Sequence, residues 1–135
     1  MDAETMVEPI QDTRTTALRL AYRYEEATDS FHFLDLTRQL HEKATFLTDE
    51  YITAEVPRQI EPRGDYSAME QPQTPLHFIF HSGFCCSTLL ARALHQPGVA
   101  TSLSEPTLLR DMVGFQNRTA DQDKYRQVLN TSLSL

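Results

Sequence analysis

The sequence is short of several residue types, and each shortage excludes a class of protein. Its 135 residues include two cysteines, which are adjacent, four glycines and no tryptophan. Neighbouring cysteines close only a strained ring, so a secreted fold held by a framework of disulfides is excluded. The first 14 residues are acidic and polar, unlike a secretory signal, and we expect a cytoplasmic protein with reduced cysteines.

Long apolar runs and an excess of positive charge are also missing. No stretch approaches the roughly 20 apolar residues that cross a bilayer, and the formal charge is −7. Nucleic acids and anionic membranes bind basic faces, so we expect neither as a partner. The charge is uneven, however: residues 1–75 carry 15 acidic and 7 basic side chains, and residues 76–135 carry 4 and 5. The second part therefore permits anion binding.

Patterning divides the chain into four segments. Residues 1–14 predict a disordered leader, and residues 15–53 predict a small α+β segment made of a hairpin and a helix. Residues 54–75 hold four of the seven prolines and predict an irregular connector. Residues 76–135 predict the start of an α/β domain.

In the small α+β segment, the spacing of apolar side chains changes along the chain. Apolar side chains first alternate with polar or small ones, which predicts one face of a half-buried strand: Leu18, Leu20, Tyr22 and Tyr24. A turn and a second extended run complete the hairpin, although residues 16–27, TALRLAYRYEEA, could also form a helix. A stripe at spacings of three and four then predicts a helix that begins near Thr37 and ends near Leu47: Leu36, Leu40, Ala44 and Leu47.

The most informative stretch is residues 76–90, LHFIFHSGFCCSTLL. Residues 76–81 predict a strand, a turn of small residues follows, and Ser87 begins a predicted helix that ends at His95. A short strand near residues 99–101 and two more helices, one after Pro106 and one near the end, give a β-α-β-α order. This order implies a parallel sheet with right-handed crossovers. Two parallel strands make a poor sheet, so we expect the N-terminal fragment of a longer α/β protein.

A turn that leads into a helix N-terminus presents free backbone N–H groups and the positive end of the helix dipole. That arrangement suits a phosphate or another anion. The residues expected to contribute are Ser82, Gly83, Phe84, Cys85, Cys86, Ser87, Thr88, Arg92 and Glu105.

The run HSGFCCSTLLARAL, followed by LSEPTLL, resembles sulfotransferase-like P-loop proteins, whose loop commonly reads R-S-G-T-T-L-L. When the two leucines are matched, Ser87 and Thr88 fall on the hydroxyl pair, Cys86 on the glycine, Cys85 on the serine and Phe84 on the basic residue. Glu105 with Pro106 resembles a Glu-Pro pair that follows the second strand in that family. The resemblance covers roughly residues 76–113.

The resemblance implies the first two β-α units of a P-loop-type parallel sheet and transfer of a sulfuryl group to a hydroxyl acceptor. The donor it implies is 3′-phosphoadenosine 5′-phosphosulfate, held at residues 82–88, and the remaining site residues would come from later segments. ATP, used by a kinase-like protein, is an alternative donor, although a kinase needs magnesium and an acidic ligand that the sequence does not identify. No residue is identified as the catalytic base. A homo-oligomer is also possible.

The loop departs from the nucleotide-binding pattern in two ways. A Walker loop has a second glycine, which lets the backbone approach the phosphates, and a lysine that neutralises their charge. Here neither is present, because Phe84 and Cys86 occupy the positions of the basic residue and the glycine. A non-catalytic binding or interaction module of the same fold is therefore the competing hypothesis, and a plain strand-to-helix turn that binds nothing is the simplest one.

Other chemistries are weaker interpretations of the same residues. Cys86 and Arg92 have the C-x5-R spacing of cysteine phosphatases, but a helix between them would direct the arginine away from the thiol. His77 and His81 would be about 13 Å apart on a strand, too far to share a zinc ion. The remaining histidines, His32, His41 and His95, are interpreted as surface or hydrogen-bonded side chains.

Overall fold

The computed structural model describes residues 17–52, 56–69, 75–96 and 98–135. The predicted leader, residues 1–14, lies outside these ranges. The helices and strands are β1 (Ala17–Glu25), β2 (Ser30–Thr37), α1 (Arg38–Lys43), β3 (Arg58–Pro62), α2 (Ser87–Leu94), α3 (Thr107–Arg118) and α4 (Gln122–Ser134). A 3₁₀ turn, Arg63–Tyr66, follows β3. The chain has a mixed α/β structure.

The three strands form an antiparallel sheet in the order β1-β2-β3. The hairpin of β1 and β2 is the one that the alternating pattern predicts. Strand β3, in contrast, lies in the stretch predicted to be an irregular connector. It is an edge strand, and Pro62 at its end is tolerated there because the outer side of an edge strand needs no partner for its N–H groups.

A β-bulge changes which side chains share a face of β1. The register moves from Ala21 opposite Phe33 to Arg23 opposite His32, so Tyr22 is the extra residue. The predicted face of four residues is therefore wrong at its last member. Tyr22 packs on one side of the sheet, and Tyr24 packs on the other.

Both faces of the sheet are covered. One face packs against α3 and α4, and its cluster of buried side chains is Ala21, Tyr24, Phe31, Phe33, Leu108, Met112, Phe115 and Val128. The other face packs against the stretch after α1, and its buried side chains are Tyr22, Leu34, Leu36, Leu47, Ile52 and Val56. Residues widely separated in sequence thus share two cores.

Helix α1 is shorter than the apolar stripe predicts. It ends at Lys43, and Leu36 belongs to β2, where it pairs with Leu18. Thr37 caps the helix as expected, since its hydroxyl accepts a hydrogen bond from the Leu40 N–H at 3.1 Å. Three residues of the stripe share one cluster, Leu36, Leu40 and Leu47. The predicted helix length was wrong, because pairing with β1 keeps the chain extended through Thr37.

In residues 76–135 the predicted helices are confirmed, and the predicted strands are not. Helices α2, α3 and α4 lie where the periodicity places them. Residues 76–81 form no strand, and residues 99–101 contribute only an isolated bridge between Gln96 and Ala100. Within the described ranges the single sheet is antiparallel, and no parallel pair is present. A strand needs a neighbour for its backbone hydrogen bonds, and among the residues that the structure describes no strand pairs with residues 76–81.

Candidate functional site

The turn before α2 has an unusual backbone. Phe84 has a φ of 59°, and Cys86, the N-cap of α2, has φ 62° and ψ 22°, in the left-handed region. A Cβ added at Gly83 would meet nothing within 4 Å, so close packing does not require that glycine. The strained conformation that usually favours glycine therefore falls on Phe84 and Cys86 instead.

The N-terminus of α2 is open to solvent. Residues 82–86 are exposed, while Ser87 and Thr88 are half-buried. Cys86 makes no side-chain cap hydrogen bond, and the first turn of α2 contains no acidic residue. The first N–H groups of this helix are thus left without a side-chain acceptor, as an anion site at a helix end requires.

Arg92 and Glu105 are placed on different concave surfaces. Arg92 and Thr88 line a cleft beside α2, whereas Glu105 lies in a second cleft with Arg110 and Asp111 of α3. The stretch before α3 is held by Leu47, whose N–H donates to the Ser104 carbonyl at 2.9 Å and whose carbonyl accepts from the Thr107 hydroxyl at 2.8 Å. The position of Glu105 is therefore set by these contacts with Leu47.

The cleft beside α2 has a volume of about 210 Å³. We call it the histidine cleft, after the two imidazole rings in its wall. Its lining residues are His41, Glu42, Ala44, Thr45, Leu47, Thr88, Ala91, Arg92, His95, Ser102 and Ser104. The cleft therefore lies between two parts of the chain. One part is α1 with the residues that follow it, and the other is α2 with the residues just before α3.

The rings of His41 and His95 have centroids 5.4 Å apart and planes at 50°. His41 is 9% exposed and the His95 side chain 11%. His41 Nδ1 and His95 Nε2 are both buried without a hydrogen-bond partner. The two histidines are not surface side chains, and His95 is hydrogen-bonded at one nitrogen, since its Nδ1 accepts from the Ser102 N–H at 3.4 Å. No periodicity signals a pair that is assembled from two distant helices.

Burial lowers the pKa of His41 below its ordinary value, and the neighbouring His95 lowers it further. A contact with the backbone of Ser102 acts in the opposite direction. Removing a charged imidazolium from water is costly, so the neutral ring of His41 is favoured. Glu42 lies at the rim, with Oε1 at 3.8 Å from His95 Nε2.

The second cleft, of about 460 Å³, is lined by a network of ion pairs. Arg23 lies 3.4 Å from Asp111 and 3.5 Å from Asp49, which also accepts from the Tyr22 hydroxyl at 2.9 Å. The hydrogen bond from Tyr22 lowers the pKa of Asp49, and the hydrogen bond to Asp111 raises the pKa of Arg23. Arg23, Asp49 and Asp111 are paired with one another, which fits a structural role for these three residues on the face of the sheet.

The geometry also bears on two weaker interpretations of the sequence, a cysteine phosphatase loop and a metal site. The residues between Cys86 and Arg92 lie in α2, so they do not wrap around an anion as a cysteine phosphatase loop does. Both cysteines are free and exposed. Among the described residues, no group of three or more His, Cys, Asp or Glu side chains is arranged to hold a metal ion.

A helix that is long and apolar enough to cross a bilayer does not occur in the described ranges. Comparison with known proteins found no matching family model, no matching curated protein and no matching solved structure. A functional proposal therefore depends on the residues and their geometry.

Proposed function

We propose that residues 82–88 bind the phosphosulfate of 3′-phosphoadenosine 5′-phosphosulfate, in a sulfotransferase-like protein that transfers a sulfuryl group to a hydroxyl acceptor. The observation that carries this proposal is the left-handed backbone of Cys86. Cys86 occupies the position at which the resembled family has glycine, and a positive φ is what glycine most readily adopts. The positive φ of Cys86 supports the proposal, because a glycine at this position could adopt the same backbone conformation.

Electrostatics at the helix end supports the same role. The positive end of the α2 dipole meets no acidic side chain in its first turn, and Ser87 and Thr88 add hydroxyl donors. Arg92 is the one basic residue of α2. Without a basic residue in the loop itself, backbone N–H groups would supply most of the contacts with the anion.

The proposal includes a P-loop-type parallel sheet in which residues 76–81 form the first strand. These residues carry exposed apolar side chains that a parallel sheet would bury, which supports this part of the proposal. Phe78 is 50% exposed and Phe80 is 92% exposed. Buried parallel strands have continuous apolar runs of this kind. In the described part of the chain, residues 76–81 form no strand and are exposed.

The reaction proposed for the intact protein is a displacement at sulfur. The acceptor oxygen forms a bond to sulfur, the bond from sulfur to the phosphate oxygen breaks, and the hydroxyl proton is lost to a base. The products are a sulfate ester and 3′-phosphoadenosine 5′-phosphate. Cytoplasm is the compartment that we propose, because free, exposed Cys85 and Cys86 suit reducing conditions.

A non-catalytic binding module is the second candidate, and the side chain of Phe84 favours it. Phe84 is fully exposed at the tip of the turn, at the position where the family has a basic residue. An exposed aromatic ring offers contact area to a partner but no charge to a donor phosphate.

Ligand-induced stabilisation tests the proposal. The melting temperature is measured with 3′-phosphoadenosine 5′-phosphate and, separately, with ATP and magnesium; a ligand at about 100 times its Kd adds roughly 2.7 kcal/mol of stability. We expect the first ligand to raise the melting temperature. Ser87→Ala should reduce the rise, whereas Ser134→Ala at the end of α4 should not. No rise with either nucleotide would contradict nucleotide binding, and a rise with ATP alone would favour a kinase-like protein.

A further inference from the structure

Helix α2 turns its apolar side to the solvent. Ala91 and Arg92 line the histidine cleft, and Ala91 is the one buried residue of the helix. Leu89, Leu90 and Leu94, in contrast, are 69%, 47% and 52% exposed. With about 3.6 residues per turn, the three leucines are centred on the side of α2 that points away from the cleft. We call this side the leucine face.

Helix α3 shows the usual arrangement for comparison. Its side chains Leu108, Met112 and Phe115 recur at spacings of four and three and are buried against the sheet. Among the residues that the structure describes, neither hydrophobic core contains a side chain of α2. An exposed leucine does not gain the stabilisation that burial provides. The leucine face is therefore suited to an interaction with another molecule.

The apolar surface continues at both ends of α2. Phe84, in the turn before the helix, is fully exposed, and Val99, in the turn after it, is 81% exposed. With about 150–200 Å² for each fully exposed large side chain, the leucine face, Phe84 and Val99 expose about 500–700 Å². A standard interface buries about 800 Å² on each partner, of which roughly 65% is apolar in homodimers. The exposed apolar area is therefore as large as a stable dimer needs.

The charge of this stretch favours contact between two copies. The chain has 19 acidic residues and a formal charge of −7, so two copies repel each other overall. None of the acidic residues lies between positions 82 and 99, where Arg92 is the only lysine or arginine. Contact is least opposed where acidic side chains are absent. A single arginine is also too little positive charge for binding to an anionic membrane surface.

A second copy fits the leucine face by symmetry. In a two-fold dimer the same surface is present on both partners, so each apolar side chain meets an apolar surface. Two antiparallel α2 helices place Leu90 of one copy beside Leu94 of the other, and the small side chain of Ala93 lets the helices approach closely. The opposite ends of the two helix dipoles then lie side by side, which is favourable. We propose that the chain forms a two-fold symmetric dimer through the leucine face, with Phe84 and Val99 at the edges of the interface.

Sedimentation velocity of the full chain tests the dimer. Between about 10 μM and 1 mM protein, we expect a reversible change from the monomer mass to twice that mass. Leu90→Glu and Leu94→Glu should each raise the Kd of the dimer at least tenfold, because each variant puts a carboxylate into the apolar interface at two symmetric positions. Val113→Glu is the matched control, since Val113 is a 58% exposed residue of α3, and its Kd should be unchanged.

Folding of each variant is checked separately from assembly. The backbone amide resonances of Phe115 and Val128, in the core that α3 and α4 form with the sheet, should keep their positions in the leucine variants. A chain that stays monomeric at about 1 mM would overturn the proposal. A dimer that Val113→Glu weakens as much as Leu94→Glu would overturn it as well.

A charge pair tests the antiparallel arrangement of the helices. When Leu90→Glu and Leu94→Lys are mixed, the glutamate of one copy lies beside the lysine of the other, while the second symmetric contact keeps its two leucines. We expect the mixture to dimerise at least tenfold more tightly than either variant alone. No gain on mixing would contradict the contact between Leu90 and Leu94.

The dimer does not rest on the proposed sulfotransferase function, and the two are measured independently. If the chain stays monomeric while 3′-phosphoadenosine 5′-phosphate raises its melting temperature, only the dimer is wrong. If the chain dimerises through the leucine face and no nucleotide stabilises it, the dimer is supported and the sulfotransferase hypothesis is wrong.

Discussion

The imidazole rings of His41 and His95 lie 5.4 Å apart, and the backbone of Ser102 contacts both. His41 lies in α1, and His95 is the C-cap of α2. Burial, and then the neighbouring His95, lower the pKa of His41, so its neutral ring is favoured. The consequence for stability can be measured.

Acid should destabilise the protein through His41. Its pKa is lowered in the folded state, so below its ordinary value the unfolded chain binds more protons and stability falls as pH falls. Three ionisable groups act on the ring: Arg38 and His95 oppose its charge and Glu42 favours it. Between about pH 7 and pH 5, the melting temperature should fall more for the natural protein than for His41→Phe. Parallel curves would contradict the buried position of the ring.

Glycine at position 86 should stabilise the turn. Cys86 has a φ of 62°, and a left-handed backbone costs a residue with a Cβ roughly 1–2 kcal/mol. Part of that gain is lost because glycine is more flexible in the unfolded chain. We expect Cys86→Gly to raise the free energy of unfolding by about 1 kcal/mol in urea titrations. Cys85→Gly is the control, because Cys85 has no positive φ, and it should not stabilise the protein.

Two phenylalanines at opposite extremes of exposure should differ sharply when truncated. Phe115 is 2% exposed and contacts Tyr24, with ring centroids 5.5 Å apart. Phe115→Ala should cost about 3–5 kcal/mol, since it removes buried surface and leaves a cavity. Phe84→Ala, at a fully exposed ring, should change stability by less than about 0.5 kcal/mol. Similar losses for the two variants would show that the core is misassigned.

The hydroxyl of Thr107 should stabilise the junction between Leu47 and α3. It is buried and donates to the Leu47 carbonyl at 2.8 Å. Thr107→Val keeps the shape but removes this hydrogen bond, and we expect a loss of about 1 kcal/mol. Thr131→Val provides the comparison, because the hydroxyl of Thr131 is exposed and bonds only within α4. A loss at Thr131 as large as that at Thr107 would contradict this role.

Local patterns in the sequence predicted the hairpin and the helices of the second part. Alternating side chains specify a strand, and Ser87 and Pro106 mark the starts of α2 and α3 within one residue. The pattern did not identify β3, since a short edge strand beside prolines has no clear period. It also overestimated α1, because a stripe records burial rather than backbone hydrogen bonding.

The sequence by itself determined the mixed α/β character, the exposed turn before α2 and the positions of three helices, because these depend on propensities within a few neighbouring residues. Only the tertiary structure decided that Tyr22 and Tyr24 face opposite cores, that Cys86 has a left-handed backbone, and that the two histidines share a cleft. A bulge depends on strand pairing, and a cleft depends on contacts between distant segments. Neither leaves a periodic signal in the chain.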